Sequence, residues 1–213
     1  MTMKIWGRAS SVNVQKVLWA LDELAISYER VDAGGKYGVV DMDVFARMNP
    51  MRRVPVLEED GFVLWESHAI LRYLGSSPSA SQTLVPDDAK ARAIMDQWME
   101  FTTSTLQPAF IGVFWQLVRT PEAQRSAETV ARTRAEYEAG LAILEKKLSE
   151  SAFLAGDTFG MADIAAGSLM HRTLDLGLLP SSMRAVKRWA ETLAGREGYA
   201  RHIATSYEEL RAL

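Results

Sequence analysis

Apolar residues along this chain follow two different rhythms, and the change falls near residue 75. Before it, short apolar runs alternate with a helical stripe. Met3 to Trp6 is a run of strand length, and Tyr28 to Val31 is a second. Between them Val14, Val17, Leu18, Leu21 and Leu24 recur at helical spacing and predict an amphipathic helix. Ala33-Gly34-Gly35-Lys36-Tyr37-Gly38 reads as a loop, and Val44, Phe45 and Met48 as a short helix stopped by Asn49-Pro50. Pro55 to Glu58 and Phe62 to Trp65 flank an Asp60-Gly61 hairpin signal, and a helix follows from Ser67 to Leu74. The resulting order, β-α-β-α-β-β-α, suits a small mixed sheet with helices on its faces.

From Pro86-Asp87-Asp88 onward every period is helical. Met95, Trp98 and Met99 open one stripe, which Pro108 should kink or split. Val130, Ala131, Arg134, Tyr137, Leu141, Leu144 and Leu148 form a second. Ile164, Leu169 and Leu176 suggest a third, Met183, Val186, Trp189 and Leu193 a fourth, and Tyr199, Ile203, Tyr207 and Leu210 a last. The reading is an α/β domain over 1–77, a polar linker over 78–88 and an all-helical domain over 89–213.

Composition narrows the function. The 213 residues are 48% hydrophobic, enough for a sizeable core without covalent staples. With 24 basic and 27 acidic residues the net charge is −3, which gives no basis for a nucleic-acid scaffold, although a local patch can still hide in it. Cysteine is absent, so disulfides, thiolate metal sites and a protein thiol nucleophile are excluded. The three histidines are far apart, and no metal site is expected. No apolar run approaches the roughly 20 residues of a membrane helix and no signal-peptide core opens the chain, so a cytoplasmic protein with no membrane partner is expected.

Three segments carry more specific information. Trp6-Gly7-Arg8-Ala9-Ser10-Ser11-Val12-Asn13-Val14 runs from the first strand into the first helix. Asn49-Pro50-Met51-Arg52-Arg53-Val54-Pro55-Val56-Leu57 enters the third strand. Leu64-Trp65-Glu66-Ser67-His68-Ala69-Ile70 joins the fourth strand to its helix. Together they resemble the cytosolic glutathione S-transferases, in particular a bacterial branch related to the theta-type, serine-using enzymes. The resemblance covers essentially the whole chain. It implies a thioredoxin-like N-terminal domain, an all-helical C-terminal domain and a homodimer. It implies glutathione as co-substrate and a small hydrophobic electrophile as second substrate, in detoxification or in a catabolic step.

The resemblance also implies roles. Val54-Pro55 is expected to be a cis bond that offers the Val54 backbone to the cysteinyl part of glutathione as to a short strand. Ser67, a good N-cap residue, and the helix start behind it suit the γ-glutamyl carboxylate, with Glu66 on the ammonium. Arg53 and Lys36 are candidates for the glycine carboxylate. Ser11 is the proposed catalytic hydroxyl. A thiol ionises near pH 8.5, and a donor to the sulfur favours the thiolate, the nucleophilic form. Ser10 competes for that place, Asn13 is a co-candidate through its amide, and Arg8 is a third through its positive field. His68 is read as packing or surface. Phe110, Phe114, Trp115 and Arg119 are expected at the electrophile site, with Leu106 and Leu117 beside them and Arg119 positioned to orient an anion. In Phe159-Gly160-Met161-Ala162-Asp163-Ile164 a helix capping box is expected at half strength, because Gly160 stands where the family has Ser or Thr. The alternative functions are a non-catalytic interaction module on the same fold and a carrier of apolar ligands.

Overall fold

A computed structural model describes residues 3–76 and 84–212. Most of the expected linker lies outside the described residues. Four strands form one sheet in the order β2-β1-β3-β4. They are β1 Met3–Trp6, β2 Tyr28–Val31, β3 Val56–Glu59 and β4 Phe62–Trp65. β1 pairs parallel with β2 and antiparallel with β3, and β3 and β4 form the hairpin. Helix α1, Val12–Glu23, packs with α3, Ser67–Gly75, and both feed the main core along with Ile5 and Leu57 of the sheet. Helix α2, Asp43–Met48, buries only Phe45, which joins Ala33 and Val56 in a second, smaller core and meets the Trp6 ring edge-on. This is the thioredoxin-like arrangement.

The helical half begins with α4, Ala89–Phe101, whose N-cap Asp88 accepts from the Ala91 N–H at 2.8 Å. Its axis continues through a π-helical turn at Thr102–Leu106, then α5, Gln107–Phe114, then a second π-helical turn at Trp115–Arg119. Pro108 is absorbed in the first turn of α5, directly after the wider turn that makes room for its ring. The remaining helices are α6 Ala127–Glu150, α7 Met161–Gly167, α8 Met170–Asp175, α9 Arg184–Ala194 and α10 Glu197–His202. No helix among the described residues is long and apolar enough to cross a membrane.

Two helical readings need correction. The stripe through Ile164, Leu169 and Leu176 spans two short helices, α7 and α8, because the chain turns at Ser168 and Leu169. The last stripe outlives its helix. α10 ends at His202, and Tyr207 and Leu210 belong to a terminal segment tied back by the Ala212 N–H to the Val118 carbonyl at 2.7 Å. Both residues keep helical spacing: Tyr207 is buried in the main core, and Leu210 packs against it half-buried.

The start of α7 is stronger than a half-formed box. Asp163 is fully buried and accepts three N–H groups: Gly160 and Leu154 from the backbone, each at 3.0 Å, and Trp189 Nε1 at 2.9 Å. Glycine at the cap has a steric cause. A Cβ there would lie 3.0 Å from the Leu84 carbonyl oxygen, which accepts the Met161 N–H.

Candidate active site

Strand β1 ends at Trp6, and the chain then turns through Gly7 to Ser11, the N-cap of α1. An N-cap serine ordinarily spends its hydroxyl on the first helical N–H groups. Ser11 does not: its carbonyl accepts the Gln15 N–H at 2.8 Å, but its side chain makes no capping bond. The hydroxyl instead sits where two cavities meet. One, of about 340 Å³, is lined by Ser11 and Asn13 with Arg52, Arg53 and Val54 across from them. The other, of about 140 Å³, rises from Ser11 and Val12 to Phe110, Phe114 and Trp115. Arg8 and Arg119 line both. The free N–H groups and positive end of α1 lie at the same point.

Arg8 is held flat against the glycine loop. Gly35 has φ +60°, and a Cβ there would sit 3.2 Å from Arg8 Cδ. Burial and the nearby Arg119 charge lower the pKa of Arg8, against a smaller opposing effect from Glu209.

Asn13 belongs to a polar chain that crosses between the two halves. Lys16, fully buried on α1, donates from Nζ to Gln107 Oε1 at 2.8 Å and contacts His68 Nε2 at 3.1 Å. A lysine ammonium has donors only. Gln107 is therefore fixed with its Nε2 toward Asn13, donating to Oδ1 at 3.0 Å. Ser67 Oγ reaches the same Oδ1 at 3.5 Å. With its oxygen so occupied, Asn13 keeps its amide N–H groups for the cavity it lines. His68 accepts at Nε2, so its proton sits on Nδ1, 2.6 Å from Thr103 Oγ1 in the first π-helical turn. Burial, then the Lys16 and Arg72 charges, push its ionisation far below the usual histidine range. His68 is thus buried within a network, as packing but not as surface.

Burial pushes Lys16 down to about 7, opposed by the Glu66 charge. Between that value and the ordinary lysine range near 10.4, the unfolded chain binds a proton that the folded chain does not. Folding stability from this group therefore rises with pH across that window. Each pH unit is worth about 1.4 kcal/mol. Denaturant unfolding of the wild type and Lys16→Met, measured from pH 7 to 9, is expected to show the wild type gaining roughly 2–3 kcal/mol on the variant. Parallel profiles would mean that Lys16 keeps its proton throughout.

The remaining predicted residues are distributed as follows. Val54-Pro55 is cis, with Pro55 buried. Glu66, and not Ser67, occupies the cap position of α3; it is exposed at φ 71°, and its carbonyl accepts the Ile70 N–H at 2.9 Å. Ser67 is already helical and buried, which leaves its hydroxyl to Asn13 and not to a cap. A non-glycine residue at positive φ costs about 1–3 kcal/mol, a cost Glu66 shares with Ala25, Val39, Arg52 and Asp60. Lys36 is separated from the Ser11–Arg53 cavity. It pairs with Glu209 at 2.7 Å and lines a third cavity with Arg8, Trp115 and Arg119. Phe110 and Phe114 are buried at the cavity wall, while Trp115 is half-exposed at its mouth under the Arg119 guanidinium, 4.9 Å from the ring centre. Leu106 is instead fully buried and Leu117 packs against the main core, and the wall of the smaller cavity has Ile111 and Leu210 in their place.

Sequence reasoning missed Lys16, Gln107, Arg52 and Arg172. Lys16 interrupts an otherwise apolar run, Val14 to Leu21, which is a weak signal of burial. Arg52 adjoins a residue already singled out. Gln107 and Arg172 carry no local signal.

A thioredoxin-like sheet stands beside a helical half, with a serine hydroxyl and a helix N-terminus facing a cleft between them. Residues 1–76 match the family profile "Glutathione S-transferase, N-terminal domain", and residues 94–197 match "Glutathione S-transferase, C-terminal domain". Glutathione S-transferase GstB of Escherichia coli K12 is 34% identical over 194 residues, 90% of this chain and 93% of the relative. Glutathione S-transferase theta-1 of Mus musculus is 38% identical over 134 residues, 61% of this chain and 56% of that protein. A solved theta class glutathione S-transferase from the citrus canker pathogen Xanthomonas axonopodis pv. citri, with glutathione bound, superposes with a TM-score of 0.91 at 34% identity, over 96% of this chain and 98% of that one. The chain belongs to the glutathione S-transferase family.

Proposed function

We propose that the protein is a glutathione transferase: it binds glutathione between β3, α1 and α3, stabilises the thiolate, and transfers an alkyl or aryl group to the sulfur. Residues 1–77 bind glutathione, and residues 89–213 supply the electrophile site across it. The observation that carries the reading is the Ser11 hydroxyl, released from capping and placed where the two cavities join. The thiol proton leaves to water. The sulfur, held by the hydroxyl, the Asn13 amide and the positive end of α1, then bonds to carbon as the leaving group departs with the electron pair. Val54 offers its backbone to the cysteinyl unit, Glu66 and the start of α3 take the γ-glutamyl end, and Arg53 takes the glycine carboxylate. The working unit is a cytoplasmic homodimer.

Ultraviolet difference absorbance of glutathione added to the protein, followed against pH, tests this directly. The expected result is a bound thiol that ionises at least one unit below its free value. Absence of any binding signal favours an interaction module on the same fold. Binding with an unshifted thiol favours an apolar-ligand carrier.

A further inference from the structure

The smaller cavity is apolar in its walls and cationic in its charges. Phe110, Ile111, Phe114 and Leu210 supply the walls, yet three guanidiniums, Arg8, Arg119 and Arg172, also line it. Among the described residues none of the three takes part in an ion pair. Arg172 is buried, at 3% exposure. It donates to the Ser10 carbonyl at 2.7 Å and to Gln15 Oε1 at 3.3 Å, and its guanidinium lies 5.2 and 5.1 Å from the Phe114 and Tyr207 ring centres. Arg8 Nε is buried without a partner. The three charges also oppose one another: burial lowers Arg172 to about 10, and Arg119 and Arg8 add to that, against Tyr207. Among the described residues lining these three cavities the one carboxylate is Glu209, on the third cavity, where it pairs with Lys36 and lies in the field of Arg8.

Gathering like charges against apolar walls is unfavourable unless an anion completes the site. The chain as a whole is acidic, so the cluster is no by-product of composition. Glutathione alone does not account for it. Arg8 and Arg119 also border the larger cavity, but there the glycine carboxylate has Arg53 and the γ-glutamyl carboxylate the start of α3, and Arg172 does not line that cavity at all. The free volume, about 140 Å³, is close to the roughly 150 Å³ that accommodates a benzene ring.

Building on the transferase reading above, we propose that the second substrate is a small, ring-sized electrophile carrying a carboxylate or sulfonate. Its anionic group lies against Arg119, Arg8 and Arg172, and its reactive carbon lies over Ser11. An arylmethyl halide bearing a carboxylate is the simplest member of this class. The thiolate sulfur forms the C–S bond as the carbon–halogen bond breaks, the halide leaves with the electron pair, and the carboxylate is retained in the thioether.

The test is a matched pair, para-(bromomethyl)benzoate and para-(bromomethyl)benzamide, assayed with glutathione and each normalised to its uncatalysed rate. The expected result is an acceleration at least ten-fold greater for the benzoate, with the preference shrinking as salt rises. Arg119→Gln should erase most of that preference through the KM of the benzoate, and Arg119→Lys should restore part of it. Quenching of tryptophan fluorescence by the unreactive para-methylbenzoate and para-methylbenzamide reads binding apart from turnover, and the benzoate should bind at least ten-fold more tightly. Equal acceleration and equal binding of each pair overturn the proposal while leaving the transferase intact. So does an Arg119→Gln variant whose defect lies in the KM of glutathione. Loss of both activities together with no glutathione thiolate signal overturns the parent reading, and this one with it.

Discussion

Ser11→Ala should lower kcat at pH 6.5–7 by about 10- to 100-fold while changing the KM of glutathione far less. A hydrogen bond to a charged acceptor is worth roughly 1.5–3 kcal/mol. At about 1.4 kcal/mol per unit, its loss raises the bound thiol by about 1–2 units. The hydroxyl makes no capping bond to α1, so its removal costs the fold little. The pH-rate profile separates this cause from general damage. The variant's activity should climb toward that of the wild type by about pH 9, because a free thiol ionises there unaided, near pH 8.5. Ser11→Thr should retain part of the activity. An unchanged kcat and an unshifted profile would remove Ser11 from the chemistry and pass its role to Asn13, already oriented by Gln107, or to Arg8.

Asp163→Ala should be the most damaging single substitution away from the cleft. It removes the acceptor of three buried donors, the N–H groups of Gly160 and Leu154 and Nε1 of Trp189. Each orphaned donor costs about 1–3 kcal/mol, and the three act together, so a loss of about 4 kcal/mol is a reasonable sum. Set against a total stability of about 5–15 kcal/mol, that is a large share. At roughly 2–4 °C per kcal/mol for a chain this long, the thermal midpoint should fall by about 8–16 °C. Asp163→Asn keeps an oxygen for Leu154 and Trp189 but sets an amide N–H against that of Gly160, so its loss should be intermediate. A midpoint within about 2 °C of the wild type for Asp163→Ala would refute this account.

Why some of this was legible in the sequence and some was not has a physical explanation. The strands were readable because each is a four-residue apolar or alternating run closed by turn chemistry, as with Asp60-Gly61 between β3 and β4. Ser11, Asn13, Arg53 and Val54 were found because they share short motifs, and the structure brings all four to one cavity. The second face of α1 was not readable. The stripe from Val14 to Leu24 shows which side meets the sheet. It does not show that α7 and α10 cover another side, nor that Gln15 is buried against Thr205 and Arg172 and Lys16 against His68 and Gln107. The same holds for Arg172, whose burial depends on Ser10, 162 positions earlier. Local periodicity carries nothing about such pairings. The pairing of Lys36 with Glu209 was equally unreadable, because Glu209 lies near the far end of the chain.

The two π-helical turns in the α4–α5 axis have a consequence for how this cleft can diverge. Each turn closes its hydrogen bonds over five residues, one more than an ordinary helical turn. Deleting one residue from the first would restore the regular winding and swing everything after it by about 100° around the axis. Trp115 and Arg119 would leave the cleft mouth without either being mutated. A change of one residue in the length of this helix would therefore alter what lines the cleft through helical phase alone, with no side chain in the cleft replaced.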